Sequence, residues 1–529
     1  MPRVELVIGL LAGIALLGGL AERAGLPYPP VLVVGGLVLA VIPGLPAVHL
    51  QPDMILFGFL PPLVYAAAYR AASFDLASQA SHIITLATGL VLFTVALAAV
   101  VGHLVADLPW VAAFALGALC APTDPVSASA IVREIGAPEQ IVVILEGESL
   151  INDGTGLAAF QVTIAAAAGG FSVSQGIFKF VTIAVGGAAI GIAAGVLIAF
   201  VRRRLNQPSL EVAIGLLGAF GSYAAADAAG CSGVLAAVAA GLFVGRRAED
   251  ISSPEVRLRV EPFWDALSFL LESLLFLLIG LELPDVVKGL PGGNAWTGIA
   301  DGAAIVATVI ALRFLWMFGF GRCLPVAGRI MRVAIDPIPA KQLTVLGWSG
   351  MRGAVSLAGA LSIPVLAGSQ PFPARDQVIF LVYCAVIGTL IVPSFTLGPL
   401  VQKLGLGESA QLREQEIRAR IRVNHAALAR LEELAEQHQP SEEIVARLRG
   451  IYELRLTRLE NRLHDDRPED SEHVDGALPL RELRSEIVSA ERRAVGQIRS
   501  ERAASAEVLG RIQHDIDLEE ARLGRERQS

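Results

Sequence analysis

Long apolar stretches without charged residues fill this chain up to about residue 404 and constrain its fold more than any other feature. Soluble domains carry charges at about a quarter of their positions. Here only 17% of residues are charged, 54% are hydrophobic, and the mean hydropathy is +0.59. From residue 405 onward, charged side chains recur densely. The sequence therefore predicts a transmembrane domain over residues 1–404 and a polar tail over residues 405–529.

Thirteen segments qualify as transmembrane helices, which need about 20 apolar residues, or fewer where a helix is broken. The first segment also resembles a signal peptide, but we interpret it as a retained span because the membrane pattern continues without a convincing cleavage site. The sequence thus predicts an all-α polytopic membrane protein with a helical tail. The predicted spans are 4–21, 30–43, 54–69, 82–106, 110–131, 139–166, 177–200, 211–228, 231–245, 262–282, 297–320, 342–366 and 378–402.

Basic residues are distributed unevenly between the loops on the two sides of these spans. One side holds most of them, including Arg70, Arg133 and Arg246, whereas the other holds only Lys288, Arg375 and Lys179 near a span end. Loops rich in Lys and Arg stay in the cytoplasm. The N-terminus is therefore predicted to lie outside and the tail in the cytoplasm.

Two carboxylates lie near the middle of neighbouring spans, Asp124 in the fifth and Asp153 in the sixth. An ionised carboxylate at that depth costs about 2.5–3.5 kcal/mol on insertion scales, so such residues usually face aqueous cavities and mark ion pathways. On a helix, Glu148 and Asn152 are one turn apart, as are Ser149 and Asp153. Their oxygens suit a hard cation. The alternative is structural, in which buried acids pair with cationic side chains of neighbouring helices.

The fifth and twelfth spans carry signals of broken helices. Pro122 and Pro125 flank Thr123 and Asp124 in the fifth, and three glycines surround Arg352 in the twelfth. Prolines remove backbone donors and disfavour the helix before them. These spans occupy matching places if spans 1–6 and 8–13 form two inverted halves, an arrangement typical of secondary transporters. A simple proline kink, with Asp124 capping the second half-helix, is also compatible with the pattern.

Arg313 is a permanent cation within the apolar run IVATVIALRFLWMFGF of the eleventh span. A guanidinium does not lose its proton in proteins, so it requires an anion. Glu148 is the partner we favour. The alternative is that Arg313 extends to the cytoplasmic interface.

The motifs APTDPVSA (121–128), GESLINDGT (147–155) and GWSGMRGAVSLA (347–358), at these separations, resemble the bacterial branch of the sodium/proton exchanger family, within the monovalent cation:proton antiporters. LPPLVYAAAY (60–69) and SGVLAAVAAGL (232–242) add to the likeness, which covers about residues 5–402.

The resemblance implies roles for these residues. Asp153 would be the carboxylate that cation and proton share, and Asn152 would precede it in the family's Asn-Asp pair, which implies electroneutral one-for-one exchange. Glu148 and Arg313 would form a structural ion pair, and Arg352 would lie at the helix crossover. The cation would be surrounded by the following residues: Thr123, Asp124, Glu148, Ser149, Asn152 and Asp153, with Thr123, Asp124, Ser149 and Asp153 as its direct ligands.

The function predicted from residues and resemblance is an antiporter that exports cytoplasmic Na⁺, or Li⁺ or K⁺, in exchange for external H⁺ across a bacterial inner membrane. We expect no catalytic activity and no cofactor. The expected partners are monovalent cations, protons and the lipid bilayer, and we expect no binding of nucleic acid. A homodimer is implied by the resemblance. A K⁺/H⁺ exchanger of the same fold is the nearest alternative, and a cation channel or a membrane sensor remains open. Phosphate-binding glycine motifs, which would support a sensor with nucleotide chemistry, are not found at strand–helix junctions.

The tail shows apolar residues at helical spacing over residues 426–437, 442–463 and 480–500. This pattern favours a helical bundle under the membrane domain or between protomers, and a regulatory role is the alternative. The four cysteines have no metal-ligand spacing and are predicted to be reduced and packed; they are Cys120, Cys231, Cys323 and Cys384.

Overall fold

The chain divides into two compact units, Met1–Ser409 and Ala410–Ser529. The structure, a computed structural model, describes the following residues: 2–42, 54–72, 76, 79–167, 173–205, 207–252, 254–288, 295–331, 337–367, 370–406, 421, 424–433, 435 and 442–464.

The described part of the first unit is built from helices, with two π-helical turns and one short hairpin. The π-helical turns span Met54–Phe59 and Thr85–Leu90. Strands β1 (Leu366–Ala367) and β2 (Gln370–Pro371) pair antiparallel. The helices are α1 (Pro2–Ala24), α2 (Tyr28–Val41), α3 (Leu60–Ala71), α4 (Ala80–Ile84), α5 (Val91–Val105), α6 (Trp110–Cys120), α7 (Val126–Glu134), α8 (Glu139–Ala167), α9 (Val173–Arg202), α10 (Pro208–Ala228), α11 (Gly233–Arg246), α12 (Ala248–Ile251), α13 (Pro254–Lys288), α14 (Ala295–Met331), α15 (Ala340–Trp348), α16 (Ala354–Leu361) and α17 (Arg375–Lys403).

Each of the thirteen predicted spans coincides with a helical segment, so the predicted all-α membrane fold is confirmed. The fifth and twelfth spans are each two half-helices, α6 with α7 and α15 with α16. The twelfth span also ends its helix earlier than predicted, at Leu361. Within the described residues, six helical segments are long and apolar enough to cross a membrane: Ala80–Val105, Ser174–Arg202, Pro208–Ala228, Arg259–Pro284, Trp296–Phe320 and Arg375–Lys403.

Helices α2 and α13 approach each other at backbone distance. A Cβ at Gly36 would overlap the carbonyl oxygen of Leu277, and a Cβ at Gly280 would overlap that of Val33. Small residues permit such close packing in membranes, where dispersion contacts replace the hydrophobic effect between helices. The two helices therefore form one tightly packed pair.

The largest apolar cluster is built around α6, α8 and α17, to which α5 and α14 contribute. A second cluster, around Tyr65 and Trp264, joins α3, α9, α10 and the start of α13. The two half-helix pairs lie against the first cluster, because α16 packs on both α6 and α17. Rigid apolar packing thus positions both helix breaks.

In the second unit, residues 424–433 are helical and a further helix, α18 (Glu442–His464), is described. They coincide with the first two tail helices predicted from the sequence. The third predicted tail helix, residues 480–500, lies outside the described residues.

Candidate functional site

The interruptions of the two broken helices lie against each other. They cover residues 121–125, between α6 and α7, and residues 349–353, between α15 and α16. The backbone N–H of Asp124 donates to the carbonyl oxygen of Met351 at 2.7 Å. Backbone groups released by a break must be satisfied within the protein or around a cavity. Here a backbone N–H released by one break is hydrogen-bonded to a backbone carbonyl released by the other.

Arg352 stabilises this crossing from within. Its side chain is buried; Nε donates to the carbonyl oxygen of Cys120, the last residue of α6, at 3.0 Å, and Nη1 donates to that of Gly350. Its backbone N–H donates to Thr389 Oγ1 at 3.0 Å. The last carbonyls of a helix have no partner within the helix. The guanidinium therefore fills the place of the missing donors at the end of α6.

Asp124 lies directly against Gly353 on the other break. A Cβ at Gly353 would overlap the Asp124 carboxyl group, so only glycine leaves room for that carboxylate. This close approach fixes Asp124 relative to the start of α16.

Thr123 connects the fifth and sixth predicted spans through two hydrogen bonds. Its hydroxyl donates to Glu148 Oε1 at 3.1 Å and accepts from Asn152 Nδ2 at 2.8 Å. Asn152 Nδ2 also lies 3.3 Å from the Thr123 carbonyl oxygen. The Asn152 amide therefore acts as a donor toward the break. Its Oδ1 atom is buried without a hydrogen-bond partner among the described residues.

Arg313 forms a two-pronged ion pair with Glu148. Nη1 lies 2.5 Å from Oε1 and Nη2 lies 2.8 Å from Oε2, and both side chains are almost fully buried. Arg313 Nε donates to the carbonyl oxygen of Leu346 at 2.9 Å. The guanidinium thus lies inside the protein rather than at an interface, and Glu148 is neutralised by it.

A cavity of about 870 Å³ borders the crossing. Glu148 and Asn152 are not among its lining residues in the described part of the chain, because they lie behind Thr123. Four of the predicted site residues line it: Thr123, Asp124, Ser149 and Asp153.

Asp124 and Asp153 are therefore two carboxylates sharing one cavity. Like charges in a site of low dielectric repel each other, and this repulsion is relieved when a proton or a cation binds. Ser149 and Thr123 add hydroxyl oxygens at the same surface. The arrangement provides negative charge and oxygen ligands to a monovalent cation.

The cavity wall nearer the basic loops carries two ion pairs. Arg70 pairs with Asp265 at 3.0 Å, and Arg133 pairs with Glu146 at 3.0 Å. Arg246 also lines this part. All three arginines belong to the loops predicted to be cytoplasmic.

Sequence reasoning missed Glu272, which lines the cavity from α13. Its Oε2 accepts a hydrogen bond from the Tyr28 hydroxyl at 3.2 Å. The signal was present, since Glu272 interrupts the apolar run ALSFLLESLLFLLIGLEL just as Asp153 interrupts its own. Glu272 differs from Asp153 in that its sequence gives no sign of a helix break nearby, and this is why it was missed.

Comparison with known proteins agrees with these features. The sequence profile of the family described as "Sodium/hydrogen exchanger, transmembrane" matches residues 10–403. The chain belongs to the sodium/hydrogen exchanger family. The matched range contains both helix breaks and the cavity, and it ends at the last residue of α17.

Individual members of this exchanger family align over most of the chain. The Na⁺/H⁺ antiporter ApNhaP of Aphanothece halophytica is 34% identical, covering 77% of this chain and 76% of its own length. A sodium, potassium, lithium and rubidium/H⁺ antiporter of Bacillus pumilus is 34% identical, covering 72% of this chain and 58% of its own. The structure of the sodium proton antiporter MjNhaP1 from Methanocaldococcus jannaschii superposes with a TM-score of 0.59 at 19% identity, covering 76% of this chain and 99% of that one. This exchanger is therefore a multi-pass membrane protein with the helical antiporter fold.

Proposed function

We propose that this chain exchanges cytoplasmic Na⁺, or Li⁺ or K⁺, for external H⁺, one for one, through competition of cation and proton for Asp153. The observation that carries the proposal is the placement of Asp153 and Asp124 on one cavity while Glu148 is neutralised by Arg313. Asp153 is the proton- and cation-binding group. Asp124, Thr123 and Ser149 complete the ligands of the cation.

Asn152 and Glu148 act behind this cavity surface. Glu148 is held by Arg313 and by the Thr123 hydroxyl, and Asn152 holds Thr123 from the other side. Both therefore position the Thr123 oxygens, and the neutral Asn152 adds no charge to the site. Arg352 keeps the crossing assembled through the α6 terminus.

Counting charges supports the proposed stoichiometry. Binding of one cation or one proton at Asp153 adds one positive charge to the site, whatever the charge of the other groups that line the cavity. The two loaded forms then have equal charge. If only loaded forms change access between the two sides, a full cycle moves no net charge.

The proposal includes an orientation, with the N-terminus outside and the tail in the cytoplasm of a bacterial cell. Arg70, Arg133 and Arg246 line the cavity and belong to the basic loops, which the positive-inside rule places in the cytoplasm. The cavity would then connect Asp153 with the cytoplasmic side. The family resemblance adds a homodimer to this proposal.

The test is Asp153→Asn, measured as cation-dependent proton flux in everted membrane vesicles. The neutral amide binds neither a proton nor a cation as a carboxylate does, so we expect the flux to fall to the level of vesicles without the protein. Asp227→Asn, an exposed acid on α10 that does not line the cavity, is the matched control and should retain the wild-type rate. Flux at the wild-type rate in Asp153→Asn would disprove the assignment.

A K⁺/H⁺ exchanger of the same fold is the second candidate, and the printed cation range of the Bacillus pumilus relative favours it. The cation ligands proposed here are oxygens that bind either ion. Proton flux measured with Na⁺, Li⁺, K⁺ and Rb⁺ in turn distinguishes the two candidates.

A further inference from the structure

Helix α13 carries two glutamates that are each bound by a tyrosine hydroxyl from another helix. Tyr28 donates to Glu272 Oε2 at 3.2 Å, and Tyr383 donates to Glu282 Oε2 at 3.0 Å. The first pair lines the cavity, as Tyr28 and Glu272 both do. The second pair has no part in the site described above.

The second pair lies beyond the end of the cavity. Phe276 is the last residue of α13 that lines the cavity. Glu282 follows it by six residues, which corresponds to about 9 Å along the helix axis. Only 8% of Glu282 and 0% of Tyr383 are exposed. A carboxylate is therefore buried beyond the end of the cavity along α13.

Glu282 and Tyr383 join α13 to α17 where these two helices pack against each other. Ile279 on α13 is buried, as are Leu381 and Val382 on α17. We call this contact between α13 and α17 around Glu282 and Tyr383 the seam. Acidic residues inside membranes are costly and usually mark a pathway, so a buried glutamate at this seam requires an explanation.

The seam is connected to the helix crossing through α17. Six residues after Tyr383, Thr389 accepts the backbone hydrogen bond of Arg352 at 3.0 Å. Arg352 in turn holds the end of α6. These two hydrogen bonds connect α17 with both helix breaks, so a displacement of α17 would reach the break that carries Asp124.

We propose that the Glu282–Tyr383 pair is the external gate of this exchanger, and that Glu282 lines the outer cavity once the gate opens, as Glu272 lines the present one. This inference depends on the proposed function, because an exchanger must expose its site to each side in turn. The closed seam holds the site open to the cytoplasm only. When α13 and α17 separate, water hydrates the Glu282 carboxylate and replaces the hydrogen bond from Tyr383.

A carboxylate suits this position better than an apolar residue. Separating apolar surfaces exposes them to water at a cost, whereas a carboxylate regains its hydration when the seam opens. The hydrogen bond from Tyr383 joins the two helices in the closed seam, and hydration of the Glu282 carboxylate lowers the cost of opening it. The Glu272–Tyr28 pair shows that α13 already tolerates this arrangement beside a cavity.

The test is Tyr383→Phe, measured by amide hydrogen exchange of the full-length protein in lipid nanodiscs. Loss of a hydrogen bond to a buried carboxylate should favour opening, so peptides covering residues 277–283 and 380–386 should exchange about tenfold faster. In the proposed cycle, opening of the external gate is coupled to closing of the cytoplasmic cavity. Peptides covering residues 128–133 beside the cavity should therefore exchange more slowly.

Tyr28→Phe is the matched control, because it removes the same bond to the other glutamate of α13 and should leave the seam unchanged. Unaltered exchange of the seam peptides in Tyr383→Phe would overturn the proposed gate. Faster exchange at the seam without slower exchange beside the cavity would also overturn it, because that result indicates local loosening. Glu282→Leu removes the carboxylate whose hydration favours opening, so the seam peptides of this variant should exchange no faster than those of the wild type. This measurement requires no transport, so its failure is separate from that of Asp153→Asn.

Discussion

Two glutamates on α8, separated by one residue, form ion pairs of different kinds. Glu148 and Arg313 are almost fully buried, whereas Glu146 pairs with Arg133, whose side chain is 51% exposed. Removing one partner of a buried pair leaves an uncompensated charge and costs about 3–5 kcal/mol. An exposed pair contributes about 0–1 kcal/mol.

We therefore expect Glu148→Ala to lower the unfolding free energy by about 3–5 kcal/mol, because it leaves Arg313 unpaired. Glu146→Ala, on the same helix, should lower it by less than about 1 kcal/mol. Thermal unfolding of the purified protein in detergent measures both changes. If the two variants unfold at the same temperature as the wild type, Arg313 is not stabilised by Glu148.

At this scale the sequence could identify groups but not their contacts. Asp124 and Asp153 were identified because each is an acidic residue in an apolar run. Arg313 is a cation in an apolar run, so an anionic partner was predicted for it. That Asn152 donates to Thr123 and lies behind the cavity surface depends on how two helices pack across the break. Spacing along one helix carries no such information.

At the scale of elements, the helix breaks were predictable because proline and glycine act locally. The capping of α6 by Arg352 was not, since donor and acceptor are 232 positions apart in the chain. Helix α13 also begins at Pro254, earlier than the predicted span at residue 262. Its first turns are polar, so hydropathy gave no signal there.

The contact between Gly353 and Asp124 leads to a prediction about the breaks. A Cβ at Gly353 would displace the Asp124 carboxyl, so Gly353→Ala should raise the apparent KM for the cation about tenfold or more, since small misplacements of binding groups are costly. Gly18→Ala in α1, where a Cβ meets nothing within 4 Å, should leave the KM unchanged. Proton flux in proteoliposomes at varied cation concentration measures both. An unchanged KM in Gly353→Ala would show that Asp124 needs no room at this crossing.

At the scale of the whole molecule, the cavity and the seam lie at opposite ends of the α13 segment that contacts both. Residues of α13 line the cavity up to Phe276, and Glu282 lies in the closed seam beyond it. The close approach of Gly36 and Gly280 packs α13 tightly against α2 along this segment. Sequence alone indicated inverted halves, but which residues line the cavity follows only from the packed fold.

The charge count at the site determines how the whole molecule responds to membrane voltage. If a proton and a cation each neutralise one of the two carboxylates, both loaded forms carry the same charge, and exchange is independent of voltage. A cycle moving one net charge would gain about 2.3 kcal/mol per 100 mV, which changes the equilibrium cation gradient by roughly 50-fold.

We expect no such change when the voltage across proteoliposomes is set by a K⁺ gradient with valinomycin and Na⁺ uptake is followed. Asn152→Asp adds an acid beside Thr123 and is the informative comparison, since any voltage dependence it acquires must come from that added charge. Voltage-dependent Na⁺ accumulation by the wild type would contradict one-for-one exchange while leaving Asp153 as the shared group.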